Sequence, residues 1–221
     1  MPGRIRPASD RGADVDPASV ACNAVPPTDR RLYRTLVFAA VAAGILCRTV
    51  QYLAHPSLWH DEALLVLNIM DRTYAGLARP LDYGQAAPPL FLWAERALLL
   101  HAGFSEYALR IVPLLSGIGA LLLFALLACR LLPQAVAPWA VAWFALCGKL
   151  VWHSAEVKQY SGDVLAATLL TFLVVGRRRA GSDATRLLTV AFLAAVAIWF
   201  SFPAIFVFGA ASLMLDRKSV V

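Results

Sequence analysis

The sequence predicts an all-α protein: a polytopic bundle of membrane helices with juxtamembrane helices in its first external loop. Three observations predict it. Of the 221 residues, 60% are hydrophobic and the mean hydropathy is +0.65. Only 15% are charged, against about 25% in a soluble domain. Apolar runs recur along the chain, several of them near the ~20 residues needed to cross a bilayer.

Residues 1–31 are rich in Pro, Ala, Asp and Arg, too polar to bury a core, and are expected to form a disordered cytoplasmic tail. No cleavage pattern precedes the first apolar run, which therefore reads as a retained helix rather than a leader. Spans are expected at about 32–53, 108–132, 135–152, 161–176, 185–201 and 203–217. The last two are one apolar stretch broken at Ser201-Phe202-Pro203, a hairpin in preference to one kinked helix because Asp216-Arg217-Lys218 favours the cytoplasm.

Between the first two spans lies a long polar-apolar segment. Residues 61–77 place Asp61, Asn68 and Arg72 near a 3.6-residue period with Leu64, Leu65, Leu67 and Met70 between them, the pattern of a helix lying at an interface. Gly84 to Pro89 reads as a turn. Residues 88–103 are apolar but short, and Glu95-Arg96 sits in their middle; a central charge opposes insertion by about 3 kcal/mol. A second juxtamembrane helix is expected there.

Charge placement agrees. If 88–103 stays at the surface, Arg30, Arg31, Arg34, Arg130, the Arg177-Arg178-Arg179 cluster, Arg217 and Lys218 all fall on the cytoplasmic side, as the positive-inside rule requires. That parity puts residues 54–107 and the segment His153–Gly162 on the same outer side. The net charge of +6 then orients helices, and no basic stretch is interleaved with stacking aromatics, so no nucleic-acid partner is expected. Cys22, Cys47, Cys129 and Cys147 are scattered and imply neither a disulfide framework nor a Cys-based zinc site.

The chemistry-bearing residues cluster on that outer side. Asp61 and Glu62 stand where the chain leaves the first span. As a solvated pair they would favour a helix's first turn; as a functional pair they would supply a general base. His60 beside them would tune them, although a lone interfacial His is more often merely polar. His153, Glu156, Lys158, Gln159, Tyr160 and Asp163 fall in one connecting stretch, against a background reading of solvated turn charges. Arg110 reads as a headgroup-seeking Arg or as a phosphate clamp; Arg48 and Lys149 read as headgroup-seeking. No Walker motif, GxGxxG or GxSxG is present.

The ordered set Asp61-Glu62, Gln85-Ala86-Ala87-Pro88-Pro89-Leu90-Phe91-Leu92, Ser105 to Arg110, and Glu156 to Asp163 resembles the N-terminal half of bacterial polyprenyl-phosphate-sugar-dependent glycosyltransferases of the GT-C fold. The similar group is the protein-mannosyltransferase-like and aminoarabinose-transferase-like family, over roughly residues 32–215. The resemblance implies a transmembrane domain at 32–218 in the cell inner membrane, N-terminus cytoplasmic, working on its outer side. It implies inverting transfer of a sugar from a polyprenyl-phosphate donor to a lipid, glycan or protein acceptor. Asp61 would be the base, with Glu62 and His60 orienting it or the acceptor. Arg110 and Lys158 would meet the phosphate, and Gln85, Glu156, Tyr160 and Asp163 would line the same cavity. A divalent ion between Asp61 and Asp163 is compatible with these residues but not required by them; no cofactor is expected and no metal ligand is assigned. Full members of the family are longer, so a truncated form is expected. The rival readings are a non-catalytic membrane module that binds lipid-linked sugar and, less well supported, a small-solute transporter.

Overall fold

The computed structural model describes residues 30–54, 57–176 and 183–216. The described residues are helical and contain no strand, so the chain is all-α. Most of the tail at 1–29, the Arg177-Arg178-Arg179 cluster, His55 and the Arg217-Lys218 pair lie outside the described residues.

Helix α1 runs Arg30–Leu53, α2 His60–Asp71, α3 Tyr74–Leu77 and α4 Pro89–Ala102. Then come α5 Glu106–Leu109, α6 Ile111–Leu131, α7 Ala137–Leu146, α8 Gly148–His153, α9 Tyr160–Gly176, α10 Asp183–Phe200 and α11 Ala204–Asp216. Two stretches, Arg30–Leu53 and Glu106–Leu131, are helices long and apolar enough to cross a membrane; Ala137–Leu146, Tyr160–Val174 and Ala191–Phe200 are shorter apolar helices.

Helices α1, α6, α7 and α9 form one packed group. Close approach is written into small residues: a Cβ on Gly44 of α1 would lie 2.7 Å from Leu121 Cδ2 of α6 and 2.8 Å from Ala145 Cβ of α7. Both α10 and α11 add to α9, sharing an apolar cluster of Ala166, Leu170, Ala194, Ala197 and Ala204. The chain between α10 and α11 turns at Ser201, whose N–H still bonds Ala197 O at 2.7 Å.

The structure refines several element boundaries. The expected helix at 61–77 is two helices. Arg72 is extended (φ −105°, ψ 148°) and Thr73 begins a new turn by accepting a hydrogen bond from Gly76 N. Arg72 leaves the helix because its guanidinium is held elsewhere, 2.7 Å from Asp82 Oδ2 and 2.8 Å from Pro80 O. The expected span at 135–152 breaks at Cys147 (φ −59°, ψ 110°) into α7 and α8. The start of the 108–132 element is interrupted at Arg110 (φ −95°, ψ −1°).

The pair Glu95-Arg96 divides its labour. Arg96 Nη1 donates to Ile69 O at 2.6 Å, capping the C-terminal end of α2 where the helix dipole favours a cation. Glu95 is fully buried, and neither carboxyl oxygen has a hydrogen-bond partner. Burial alone pushes its pKa well above the ordinary value, because desolvation disfavours the charged form.

Candidate functional site

The site is assembled from three separated pieces of chain, and each has a local reason to be where it is. Helix α2 delivers Asp61 and Glu62 in its first turn. Glu62 is buried. Its Oε2 accepts from Trp59 N at 2.9 Å, closing the start of the helix, and its Oε1 accepts from Val157 N at 2.5 Å. One carboxylate therefore fixes both the entry of α2 and the distant 155–158 turn. Asp61, on the neighbouring position, is left exposed.

The second piece is the 80–85 loop. Asn68, read from sequence as part of a wet helix face, is buried. Its Oδ1 accepts from Asp82 N at 2.9 Å, and its Nδ2 donates to Leu64 O at 2.9 Å. Asp82 is held from its other end by Arg72. The chain then reverses through Tyr83 (φ 59°) and Gly84 (φ 67°), with Gln85 N bonding Asp82 O at 3.2 Å. Two successive left-handed residues are the signature of a mirror-image type I turn. The turn presents Gln85 to Asp61, Nε2 to Oδ1 at 2.7 Å.

The third piece is the turn between α8 and α9. Val157 is buried against Val66 and Leu109, which aims the next residue, Lys158, back toward α2. Lys158 Nζ lies 2.7 Å from Asp61 Oδ2 and donates to Gln85 Oε1 at 2.9 Å. Asp61, Gln85 and Lys158 thus form a closed triangle. The Lys158 side chain is 7% exposed and that of Asp61 is 64% exposed, so the ammonium is covered and the carboxylate faces out. Hydrogen bonds from Lys158 and then Gln85 hold the Asp61 carboxyl below its usual pKa, with a weaker pull from His60.

Around the triangle, Glu156 Oε2 lies 2.6 Å from His153 Nδ1, and the His153 ring stands 4.7 Å from that of Tyr160. Tyr160 lies within electrostatic reach of Glu156, Asp61 and Asp163. Asp163, in the first turn of α9, faces the Ser201 hydroxyl beyond α10. His60 is exposed at the start of α2. Trp59 and Trp152 meet edge to face with centroids 6.4 Å apart, tying the start of α2 to the end of α8.

The structure therefore brings Asp61, Glu62, Gln85, Lys158 and the 153–160 turn together, with Asp163 at the margin. Arg110 is different. It is fully buried at the α5–α6 break, with Nη1 3.6 Å from Glu106 Oε2, so its guanidinium does not reach out to headgroups. Arg48 is also buried, not headgroup-seeking: Nη1 donates to Gly44 O and Ala145 O, both at 2.9 Å. Lys149 is exposed. Sequence reasoning missed the burial of Asn68 and Arg48 and the grip of Arg72 on the 80–82 loop. For Arg72 the Pro80-Leu81-Asp82 stretch within reach was an available signal; for Asn68 and Arg48 there was none.

Among the described residues, no group of three or more His, Cys, Asp or Glu side chains is arranged to hold a metal ion. At Asp61 the place beside the carboxylate is taken by the Lys158 ammonium. In comparisons with known proteins the chain matches no family model, no curated protein and no solved structure.

Proposed function

We propose that the chain is a polytopic inner-membrane glycosyltransferase of the GT-C type, moving a sugar from a polyprenyl-phosphate donor to an acceptor hydroxyl on the outer side. The observation that carries the reading is the Asp61–Gln85–Lys158 triangle, which joins an acid from the first loop to a cation from the second. The membrane setting is supported by an inverted surface. Phe38, Leu115, Trp139, Trp143, Phe192 and Phe206 are each more than 60% exposed, while Arg48, Ser116, Ser161 and Thr168 are buried within the helix group. Water penalises such a surface; hydrocarbon does not. Helix α1 is held against α6 and α7 through Gly44, so it belongs to the bundle.

Outside the cytoplasm an activated sugar has to arrive on a lipid phosphate, already a good leaving group. The protein then has two tasks: to accept a proton from the acceptor, and to stabilise the departing phosphate. The acceptor oxygen attacks the anomeric carbon, and the bond from that carbon to the phosphate oxygen breaks, leaving its electron pair on the polyprenyl phosphate. The acceptor proton passes to Asp61 Oδ. One displacement inverts the anomeric centre.

In the free protein Lys158 suppresses the basicity of Asp61. A phosphate competes for the same ammonium, and as Lys158 turns to it the carboxylate regains its ordinary basicity beside the acceptor. Glu62 is a positioning residue, because its two oxygens are spent on Trp59 and Val157. In this reading His60, Tyr160 and Asp163 would contact sugar or acceptor hydroxyls. Arg110, bound at Glu106, supports the loop rather than the phosphate.

Asp61→Asn keeps the shape and the Gln85 contact but removes the proton acceptor. Membranes carrying the full chain and a labelled polyprenyl-phosphate sugar should lose transfer by at least ~100-fold. Transfer at the wild-type rate would remove Asp61 from the base role. A second reading, a non-catalytic module that binds lipid-linked sugar, is favoured by the engagement of both Asp61 oxygens. It predicts donor binding without turnover in the wild-type chain.

A further inference from the structure

Beside the triangle stands a wall of rings that the proton transfer and the phosphate leave unused. Trp59 and Trp152 meet edge to face with centroids 6.4 Å apart. His153, next along α8, stands 4.7 Å from the Tyr160 ring. The four rings come from the entry of α2, the end of α8 and the start of α9. Trp59 is 60% exposed, and Trp152 and Tyr160 are each 40% exposed, so the wall is partly backed by protein and partly open. Tyr160 lies within electrostatic reach of Asp61, and Trp59 precedes Asp61 by two residues.

Local packing explains why Trp59 faces out. Leu58 packs against Val66, Leu109 and Val157, and Trp59 N is fixed on Glu62 Oε2 at 2.9 Å. Trp59 is extended (φ −67°, ψ 155°), so its side chain leaves on the side opposite that of Leu58. Trp139 and Trp143, by contrast, stand on α7 among apolar residues alone, as lipid-facing side chains would on the membrane reading. Trp59 is followed by His60 and Asp61, and Trp152 by His153, whose Nδ1 lies 2.6 Å from Glu156 Oε2. Hydrocarbon over this wall would desolvate those polar neighbours at a cost. A ligand with an apolar face and a polar rim satisfies both the rings and their neighbours.

A pyranose ring is such a ligand. Its C–H groups make an apolar face that stacks on an indole, and its hydroxyls radiate from the rim toward polar groups. Two groups can take hydrogen bonds from those hydroxyls. Asp61 is exposed, and a neutral His153 whose Nδ1 donates to the Glu156 carboxylate leaves Nε2 as a proton acceptor. The pyranose is uncharged, because no cation is left for an anionic one: Lys158 is spent on Asp61 in the free protein, and on the donor phosphate during transfer.

We infer that this wall is the acceptor platform: a neutral pyranose of a glycan acceptor stacks on Trp59, braced by Trp152, and presents a hydroxyl to Asp61. The inference names the acceptor class of the proposed transferase and rests on that reading. A protein or sugar-free lipid acceptor has no ring face to lay on the wall.

The test is saturation-transfer NMR on the purified full chain in micelles of a polyoxyethylene ether, which carry neither sugar nor phosphate. The probes are the methyl β-pyranosides of glucose, galactose and mannose, with sorbitol as an open-chain polyol and N-acetylthreonine amide as a protein-like hydroxyl. Transfer to the ring C–H protons of at least one pyranoside is expected, with its dissociation constant raised ~3- to 10-fold in Trp59→Ala and restored in Trp59→Phe. Sorbitol and the threonine amide should receive none. Absence of transfer to every pyranoside overturns the platform, as do wild-type affinity in Trp59→Ala and equal binding of sorbitol. Binding of the threonine amide alone overturns it too, by naming a protein acceptor. Trp59 also braces Trp152, so if Trp59→Ala departs from the parent in circular dichroism or elution volume, Trp59→Leu decides by the same criterion, keeping apolar bulk without a ring. Pyranoside binding needs neither donor nor turnover, so the two readings fail separately. Binding without sugar transfer from any polyprenyl-phosphate donor removes the transferase and leaves a sugar-binding face; transfer without pyranoside binding removes the platform alone.

Discussion

At the scale of single residues, the decisive fact is what the neighbours do to two carboxyls. Asp61 is exposed, yet held below its usual pKa by the Lys158 ammonium and the Gln85 amide. A depressed folded-state pKa means that the ion pair's contribution is present above the ordinary value of 3.8 and is lost as pH falls through the lower folded value. The acidic limb attributable to Asp61 in the free protein therefore lies below pH 3.8. In Lys158→Met it should move upward toward the ordinary carboxylate range, as read by NMR titration of the Asp61 side-chain carbon. A limb that stays put would mean that Lys158 does not govern Asp61. Glu95 is the opposite case: burial raises its pKa well above 4.5. Its contribution is fully present below pH 4.5 and declines as pH rises toward the folded value, by about 1.4 kcal/mol per pH unit for one proton. Thermal unfolding of wild type should lose stability over that window, and Glu95→Gln should flatten the slope. Sequence alone assigned Glu95 only an obstacle to membrane insertion, because burial between helices leaves no local mark.

At the scale of elements, the site depends on a loop rather than on a helix. Periodicity at 61–77 made a surface helix legible, and Gly84 made a turn legible. What it did not disclose is that Asn68 and Arg72 both turn inward to grip residues 80–82. Each was read as solvated because polar residues at helical spacing look the same whether they face water or a loop. The consequence is testable. Asn68→Ala leaves Asp82 N without its partner and should destabilise the fold by about 1–3 kcal/mol, measured by denaturant unfolding in detergent. Because Gln85 reaches Asp61 only through this turn, the same variant should weaken donor binding. Unchanged stability would show that the loop is held by other means. The breaks at Cys147 and Arg110 fall inside expected spans, although Gly148-Lys149 directly after the first and Pro113 shortly after the second are marks that the apolar runs around them outweigh.

At the scale of the whole molecule, the arrangement of helices brings residues 61 and 158 within a hydrogen bond of each other. On the proposed membrane reading, both loops then emerge on one face whichever way the chain is oriented. Single engineered thiols at Ser57 and Tyr160, both exposed, should therefore react with an impermeant maleimide from the same side, the outer one if the charge distribution orients the helices. Reaction from opposite faces would dismantle the site and the transferase reading with it. The all-helical character and the places of the main apolar helices were determined by the sequence itself, because hydropathy and 3.6-residue spacing are local properties that helices obey without regard to partners. Which acid stays exposed and which is buried, and that Lys158 rather than Arg110 reaches Asp61, only the tertiary structure decided. So too did the burial of Arg48. These outcomes depend on which surfaces pack together, and packing sets the dielectric and the neighbours of a charge in ways its place along the chain does not encode.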